Sequence, residues 1–360
     1  MHIIKTRLYL TVISFLVFYL GCNKDLGTEP TQGPKWRVYT KASTGGGLLD
    51  NSINALSVDD DNRIWMGTDE GASVLRGSIW STYTTQLVYQ EYLNGGGQIT
   101  RHKVSAIAHG IDGSTWFGLS GGGVRRYNPN SSTQQWTNYV SSSPSSISGD
   151  NIRQIAADQF GASGSSNIWV VPDLSGIDRF KPRPTDVANG DWEIYTTSNG
   201  LPANRVYSVQ VNFVRRIVWF GTAYGELVKF DGSSWNFEGV SNYQSIVKTI
   251  AIEGSDIVWV GTDNGAFRRS ISWTQFTKDT TGNSLPSNKV NAIVVEASGI
   301  KWFGTDEGLA RFDNFNWQVF NTSNSPLPSN SINVLTIDID GRIWIGTPNG
   351  AVVYDPKGKD

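Results

Sequence analysis

The stretch RIWMGTDEG, residues 63–71, reads as a short strand running into a tight turn, and the chain repeats it. Near copies are STWFGLSGG from residue 114, IVWFGTAYG from 217, IVWVGTDNG from 257, IKWFGTDEG from 300 and RIWIGTPNG from 342, with a decayed copy, IWVVPDLSG, from 168. The tryptophans that mark them are Trp65, Trp116, Trp169, Trp219, Trp259, Trp302 and Trp344, spaced 51, 53, 50, 40, 43 and 42 residues apart. Short strands recurring at about 40–50 residues predict a β-propeller with one blade per repeat.

The other seven tryptophans form a second series: Trp36, Trp80, Trp136, Trp192, Trp235, Trp273 and Trp317. Six of them begin a W-x-x-aromatic strand such as WRVY or WTQF, while at Trp235 the aromatic comes one position early, in WNFE. A third element precedes each phrase, as in NSINALSV from 51 or NKVNAIVV from 288, and a fourth follows each turn, as in ASVLR or LARF. Four strands per repeat describe a four-stranded antiparallel blade. The chain opens with a W-x-x-aromatic strand, 36–40, that has no blade of its own, and ends at AVVYD, 351–355, where the last blade lacks that strand. The expected fold is therefore all-β, a single seven-bladed β-propeller over residues 35–355. Its ring is closed by the N-terminal strand, which removes an open sheet edge. Residues 356–360 form a short tail.

Composition agrees with this class. Of 360 residues only 17% are charged, glycine is abundant at 39, and the net charge is −2 with no basic tract. Nucleic acid is not an expected partner. At the N-terminus Lys5 and Arg7 precede an apolar run from Leu8 to Leu20, too short to span a bilayer and suited to a signal-peptide core. Cys22 follows directly after Gly21 and is the only cysteine, so no internal disulfide can form. YLGC, residues 19–22, resembles the lipobox of bacterial lipoproteins, with Tyr19 standing where Leu is usual. That resemblance implies a signal peptide over 1–21, lipidation of Cys22 and a flexible tether over 22–34. The protein would then be extracytoplasmic, anchored to a bacterial membrane by lipid, in the periplasm or at the cell surface.

The phrases LPSNKVNAIVVEASGIKWFGTDEGLARFD (285–313) and LPSNSINVLTIDIDGRIWIGTPNGAVVYD (327–355) resemble the two-component regulator propeller repeat, and the likeness extends over roughly residues 36 to 355. The resemblance implies a relation to periplasmic sensor regions of bacterial hybrid sensor kinases, several of which respond to oligosaccharides. The present chain is read as a stand-alone form that binds a ligand and does not signal by itself.

Residues present in every blade are expected to serve the blade. The tryptophans pack between sheets, Gly-Thr-x-x-Gly supplies turn residues able to adopt positive φ, and Asp69, Asp263 and Asp306 accept backbone N–H groups within their own turns. Function is expected where blades differ. The fourth position of the innermost strand holds Asn54, Ser105, Arg153, Tyr207, Lys248, Asn291 and Asn333, polar in every blade between apolar neighbours. This predicts a polar ring at the channel mouth with two cations and one aromatic. The first position, Asn51, His102, Asp150, Asn204, Ser245, Asn288 and Asn330, is expected to satisfy backbone donors in the preceding turn. His102 is the outlier there, with Lys103 beside it and Arg205 and Lys289 matching Lys103 in other blades. The long connection 85–102 is expected to bring Tyr89, Glu91, Tyr92 and Arg101 over the mouth.

The binding set read from these positions is Arg153, Tyr207, Lys248, His102, Lys103, Arg101, Tyr92 and Arg205, for an oligosaccharide, with the cations favouring an anionic one. A protein-binding scaffold using a rim or side surface is the first alternative. A propeller-type lyase using His102 or a tyrosine as base is the second. No catalytic residue, metal site or cofactor is assigned. His102 and His109 lie seven residues apart on one strand, roughly 23 Å and on opposite faces. No H-E-x-x-H, G-x-S-x-G, Walker-type or Cys-x-x-Cys motif occurs.

Overall fold

The computed structural model describes residues 33–358, apart from 88, 93–97, 133, 144–145, 162–164, 184–185 and 240–244. The expected signal peptide, Cys22 and nearly all of the expected tether lie outside the described residues.

Seven four-stranded antiparallel sheets follow one another along the chain. Their innermost strands are Ile53–Val58, Val104–His109, Ile152–Ala157, Val206–Asn212, Thr249–Glu253, Val290–Val295 and Val334–Ile337. Each touches its counterparts in the neighbouring blades, and the first touches the last, so the seven enclose a central channel. The ring closes as the order of strand types predicts. Lys35–Tyr39 pairs with Gly350–Asp355, setting Trp36 opposite Tyr354 and Tyr39 opposite Ala351. The same register puts Lys35, opposite Asp355, on the face away from the Thr347–Gly350 turn. The described chain thus enters at the end opposite the channel mouth.

The first tryptophan series is the core, with each ring no more than 4% exposed. Most of these indoles are also anchored by a hydrogen bond at their N–H. Trp65, Trp169 and Trp344 donate to Asp59, Asp158 and Asp338, Trp259 and Trp302 to Glu253 and Glu296, and Trp116 to Ser114, at 2.7–3.0 Å. Trp219 is the exception, its Nε1 buried without a partner among the described residues. On the third strand an Arg or Lys faces the tryptophan across the sheet in the middle blades, and Arg126, Arg179 and Lys229 lie 5.2, 4.8 and 5.6 Å from the ring centroids.

The second tryptophan series forms a girdle on the outer strands. The aromatic that ends W-x-x-aromatic packs on the tryptophan of the next blade. Tyr139 meets Trp192 at 5.2 Å, Tyr195 meets Trp235 at 5.1 Å, and Phe320 meets Trp36 of the closing strand at 5.2 Å, the last between blades six and seven. The seam between blades four and five departs from this. The early aromatic Phe237 is 55% exposed, and Glu238 stands in its place, paired with Lys229 at 2.8 Å and with Arg269 of the next blade. A one-residue shift sends a strand side chain to the other face, so an ion-pair cluster replaces the ring contact.

One expectation about the repeated phrase is corrected. Only the second glycine of Gly-Thr-x-x-Gly adopts positive φ, as at Gly71 (123°) and Gly308 (142°). The first glycine lies within the second strand, where a side chain would collide with the next blade. A Cβ on Gly304 would lie 2.6 Å from Ile332 Cγ2, and one on Gly67 would lie 2.9 Å from the Val104 carbonyl oxygen. That glycine sets how closely adjacent inner strands approach.

Candidate functional site

All seven residues of the fourth inner-strand position line one central cavity of about 420 Å³. A local irregularity aims them there. In five blades the residue is the extra one in a β-bulge, Asn54, Ser105, Arg153, Tyr207 and Asn291 each standing between two residues that pair in register with the second strand. A bulge re-aims the side chain and bends the strand. In the other two blades Lys248 and Asn333 sit just before the strand and donate their N–H to Gly261 and Gly346, each at 2.9 Å.

The aspartates of the second-to-third-strand turns complete this mouth. They do not serve their own turns as expected, because the preceding threonine does. Thr68, Thr262 and Thr305 Oγ1 accept the N–H of Glu70, Asn264 and Glu307 at 3.2, 2.9 and 3.1 Å. The carboxylates are left to face the channel. Asp69 accepts from Asn54 at 2.9 Å and lies 3.3 Å from Lys103. Asp263 lies 2.5 Å from Lys248, while Asp306 accepts from Asn291 at 2.7 Å and lies 3.6 Å from Lys289. In blade three the aligned Asp173 accepts from Arg153 Nη2 at 2.6 Å.

The mouth is therefore charge-paired, since Lys103, Arg153, Lys248 and Lys289 each face an aspartate. This weakens the cationic field on which the expectation of an anionic sugar rested, leaving Arg205 with tyrosine partners only. What distinguishes one sector is aromatic. The Arg153 guanidinium lies 4.1 Å from the Tyr207 ring centroid, a cation–π contact. Tyr207 Oη in turn accepts from Arg205 at 3.3 Å. Tyr207 and Tyr224, the latter 51% exposed, together push the Arg205 pKa up. Leu174 stands on the adjoining turn, 56% exposed and held at φ 64°. Tyr224 escapes a reading confined to the inner strand. Its signal was GTAYG, the one copy of the turn that carries an aromatic.

The remaining sequence-derived candidates are placed less centrally. His102 Nδ1 is 3.9 Å from Glu70, and neither it nor Lys103, Arg205 or Arg101 lines the cavity. The connection before His102 forms a small hairpin, Tyr89–Tyr92 with Gln98–Arg101; the side chain of Tyr92 lies outside the described residues. The first inner-strand position behaves as predicted. Asn51, Asp150, Asn204, Asn288 and Asn330 each accept a backbone N–H from the preceding loop at 2.7–2.8 Å. His109 is a packing residue, 5.5 Å from Trp65 between ring centroids, and burial pushes its pKa down to about 4. It stays neutral near pH 7.

Residues 47–70 and 326–349, spanning the start of blade one and of blade seven, match the family described as Two component regulator propeller. In these two segments the chain is similar to that repeat. Several solved structures resemble the fold. The extracellular domain of the hybrid two component system BT3049 from B. thetaiotaomicron is similar at 20% identity and a TM-score of 0.62, over 84% of this chain and 40% of that one. The present propeller thus spans well under half of that extracellular domain. PorZ, a bacterial surface component of the type-IX secretion system of Porphyromonas gingivalis, is similar at 17% identity and a TM-score of 0.62, over 85% of this chain and 46% of that one. Virginiamycin B lyase from Staphylococcus aureus is similar at 14% identity and a TM-score of 0.63, over 89% and 99%. At these identities the likeness is one of fold. No curated protein matches the sequence. Among the described residues no helix is long and apolar enough to cross a membrane.

Proposed function

We propose that this two-component regulator propeller is a non-enzymatic, extracytoplasmic ligand-binding module that takes a neutral oligosaccharide at the channel mouth, in the sector of blades three and four. The observation that carries this reading is the Arg153–Tyr207–Arg205–Tyr224 cluster, where the exposed Tyr224 and the half-buried Tyr207 stand beside guanidinium donors and the Asp173 acceptor. A sugar presents C–H faces to rings and hydroxyls to polar side chains. The propellers of extracellular sensor domains that share this fold fit a sensing role. Pairing of every ring cation with an aspartate favours an uncharged ligand over an acidic one, because an added carboxylate would face Asp173 and Asp263.

The test is a thermal-shift panel of neutral and acidic oligosaccharides against the folded chain. A ligand at 100 times its Kd adds about 2.7 kcal/mol of stability. The expected result is a shift with a neutral glycan that disappears in an Arg153→Ala, Tyr224→Ala variant. A flat panel with folded protein would overturn the glycan reading, and a shift indifferent to that variant would overturn the sector.

A further inference from the structure

The face opposite the mouth gathers the exposed apolar side chains. Of eleven large hydrophobic residues exposed among those described, seven stand at or beside turns on that face. Ile111, Phe213, Val214 and Ile339 follow innermost strands, and Ile79, Ile271 and Phe315 lie where the chain turns into outer strands. Ile271 and Phe315 are 104% and 89% exposed. Single exposed apolar residues are ordinary, but these share one face of the ring. Phe213 and Val214 also border an apolar depression of about 360 Å³ at the lower end of the channel, walled by Val211, Ile252, Ile293 and Ile337.

Charge on this face is paired rather than massed. Asp61 lies 3.5 Å from Arg63, Asp256 lies 2.7 Å from Arg215, and Asp340 lies 3.0 Å from Arg342. A surface that recognises anionic lipid carries an excess of Lys and Arg, whereas here three arginines are offset by neighbouring aspartates. The chain also arrives here. Lys35 sits on this face, thirteen residues after Cys22 and fifteen after the end of the apolar run Leu8–Leu20. Thirteen residues reach at most about 45 Å when extended and span about 20 Å as a flexible coil. A bilayer held by the N-terminal segment would lie within that reach of this face.

We propose that this face docks on the surface of a zwitterionic bilayer. Its turn-tip side chains would insert among the headgroups, and the polar mouth would point away from the membrane. Interfacial side chains of this kind sit about 5–10 Å deep and are held by apolar burial. The paired charges make the docking insensitive to salt. This inference is independent of what the mouth binds.

The test places a genetically encoded fluorescent amino acid at position 315, 339 or 224 of the full chain, incorporated in phosphatidylcholine vesicles that carry a lipid-attached quencher. Several-fold stronger quenching at 315 and 339 than at 224 is expected. Equal quenching at the three positions, or stronger quenching at 224, would overturn the proposal. In a second measurement the Phe213→Ser, Phe315→Ser, Ile339→Ser variant carries the probe at position 271. All three side chains are exposed, so the fold is retained, and quenching should fall several-fold. Unchanged quenching would overturn insertion by these residues, and a signal seen only when phosphatidylglycerol is added would overturn the zwitterionic assignment.

Discussion

Arg153 is held between two partners of opposite character, with Asp173 Oδ1 at 2.6 Å from its Nη2 and the Tyr207 ring centroid at 4.1 Å from its Cζ. The carboxylate neutralises the guanidinium while the ring fixes its plane. Removing the carboxylate should therefore change which ligands are accepted. Asp173→Ala leaves a cation at the mouth without its counter-charge. It should strengthen binding of an acidic oligosaccharide by about tenfold, roughly 1.4 kcal/mol, within the range expected of a charge-assisted hydrogen bond. Titration calorimetry with matched neutral and acidic sugars checks this; equal changes for both would count against the charge-pairing argument.

Two buried groups should make the pH dependence of stability misleadingly flat. Asp178 is fully buried, and desolvation pushes its pKa up to about 6 despite the Ser148 N–H that it accepts at 2.8 Å. The folded state keeps a proton that the unfolded state releases between about pH 4 and 6, so this contribution is lost as pH rises through that window. His109, lowered to about 4 by burial, acts in the other direction. The unfolded state takes up its proton first, so stability is lost as pH falls from about 6.5 to 4. Each shift corresponds to roughly 3 kcal/mol. Asp178→Asn should expose the histidine slope and be more stable than the parent at pH 7, whereas His109→Val should gain stability on acidification. Denaturant titrations across pH 4–8 distinguish these outcomes from parallel curves, which would refute both assignments.

The seam between blades five and six contains a buried ion pair. Lys301 has no exposed side-chain surface, donates to the Gly299 carbonyl at 2.7 Å and lies 3.3 Å from Glu253, which also accepts the Trp259 indole N–H. The aligned position is Ile64, Ile168 or Ile343 in other blades. Glu253→Gln should cost about 3 kcal/mol by leaving the ammonium buried without a counter-charge. Adding Lys301→Ile should recover most of that loss. A double variant no more stable than the single one would contradict this account.

Inter-blade spacing can be tested with one methyl group. Gly304→Ala forces Ile332 or a backbone to move and should cost about 1–3 kcal/mol. Gly239→Ala, at a position with nothing within 4 Å of a new Cβ, should be neutral or slightly stabilising. Equal effects in thermal unfolding would show that the glycine of the repeated phrase does not set the spacing.

The blade count, the closing strand and the polar ring were all legible because each is a regularity within one repeat or a difference at one aligned position. What escaped lies between repeats. The first glycine of the phrase looks like a turn residue until Ile332 of the next blade is seen against it. Asp69 looks like a turn-capping acid, yet Thr68 performs that task and frees the carboxylate for Asn54 and Lys103. WNFE was visible as a slipped aromatic, but only the neighbouring blade shows that Glu238 gains Arg269 from the shift. Charge balance at the mouth was hidden for the same reason, since each cation was read without the turn that faces it.

Closure by Lys35–Tyr39 has a consequence for assembly. The strand that completes the last sheet is translated first and has nothing to pair with until Gly350–Asp355 exists. Its edge then recognises a backbone register rather than a particular molecule. At high concentration during refolding, the same five-residue register is expected to accept the strand of a second copy and give a dimer by exchange, which size-exclusion chromatography of refolded protein checks. Dilution favours the closed monomer, because the ends of one chain are held at a fixed effective concentration while a partner's are not.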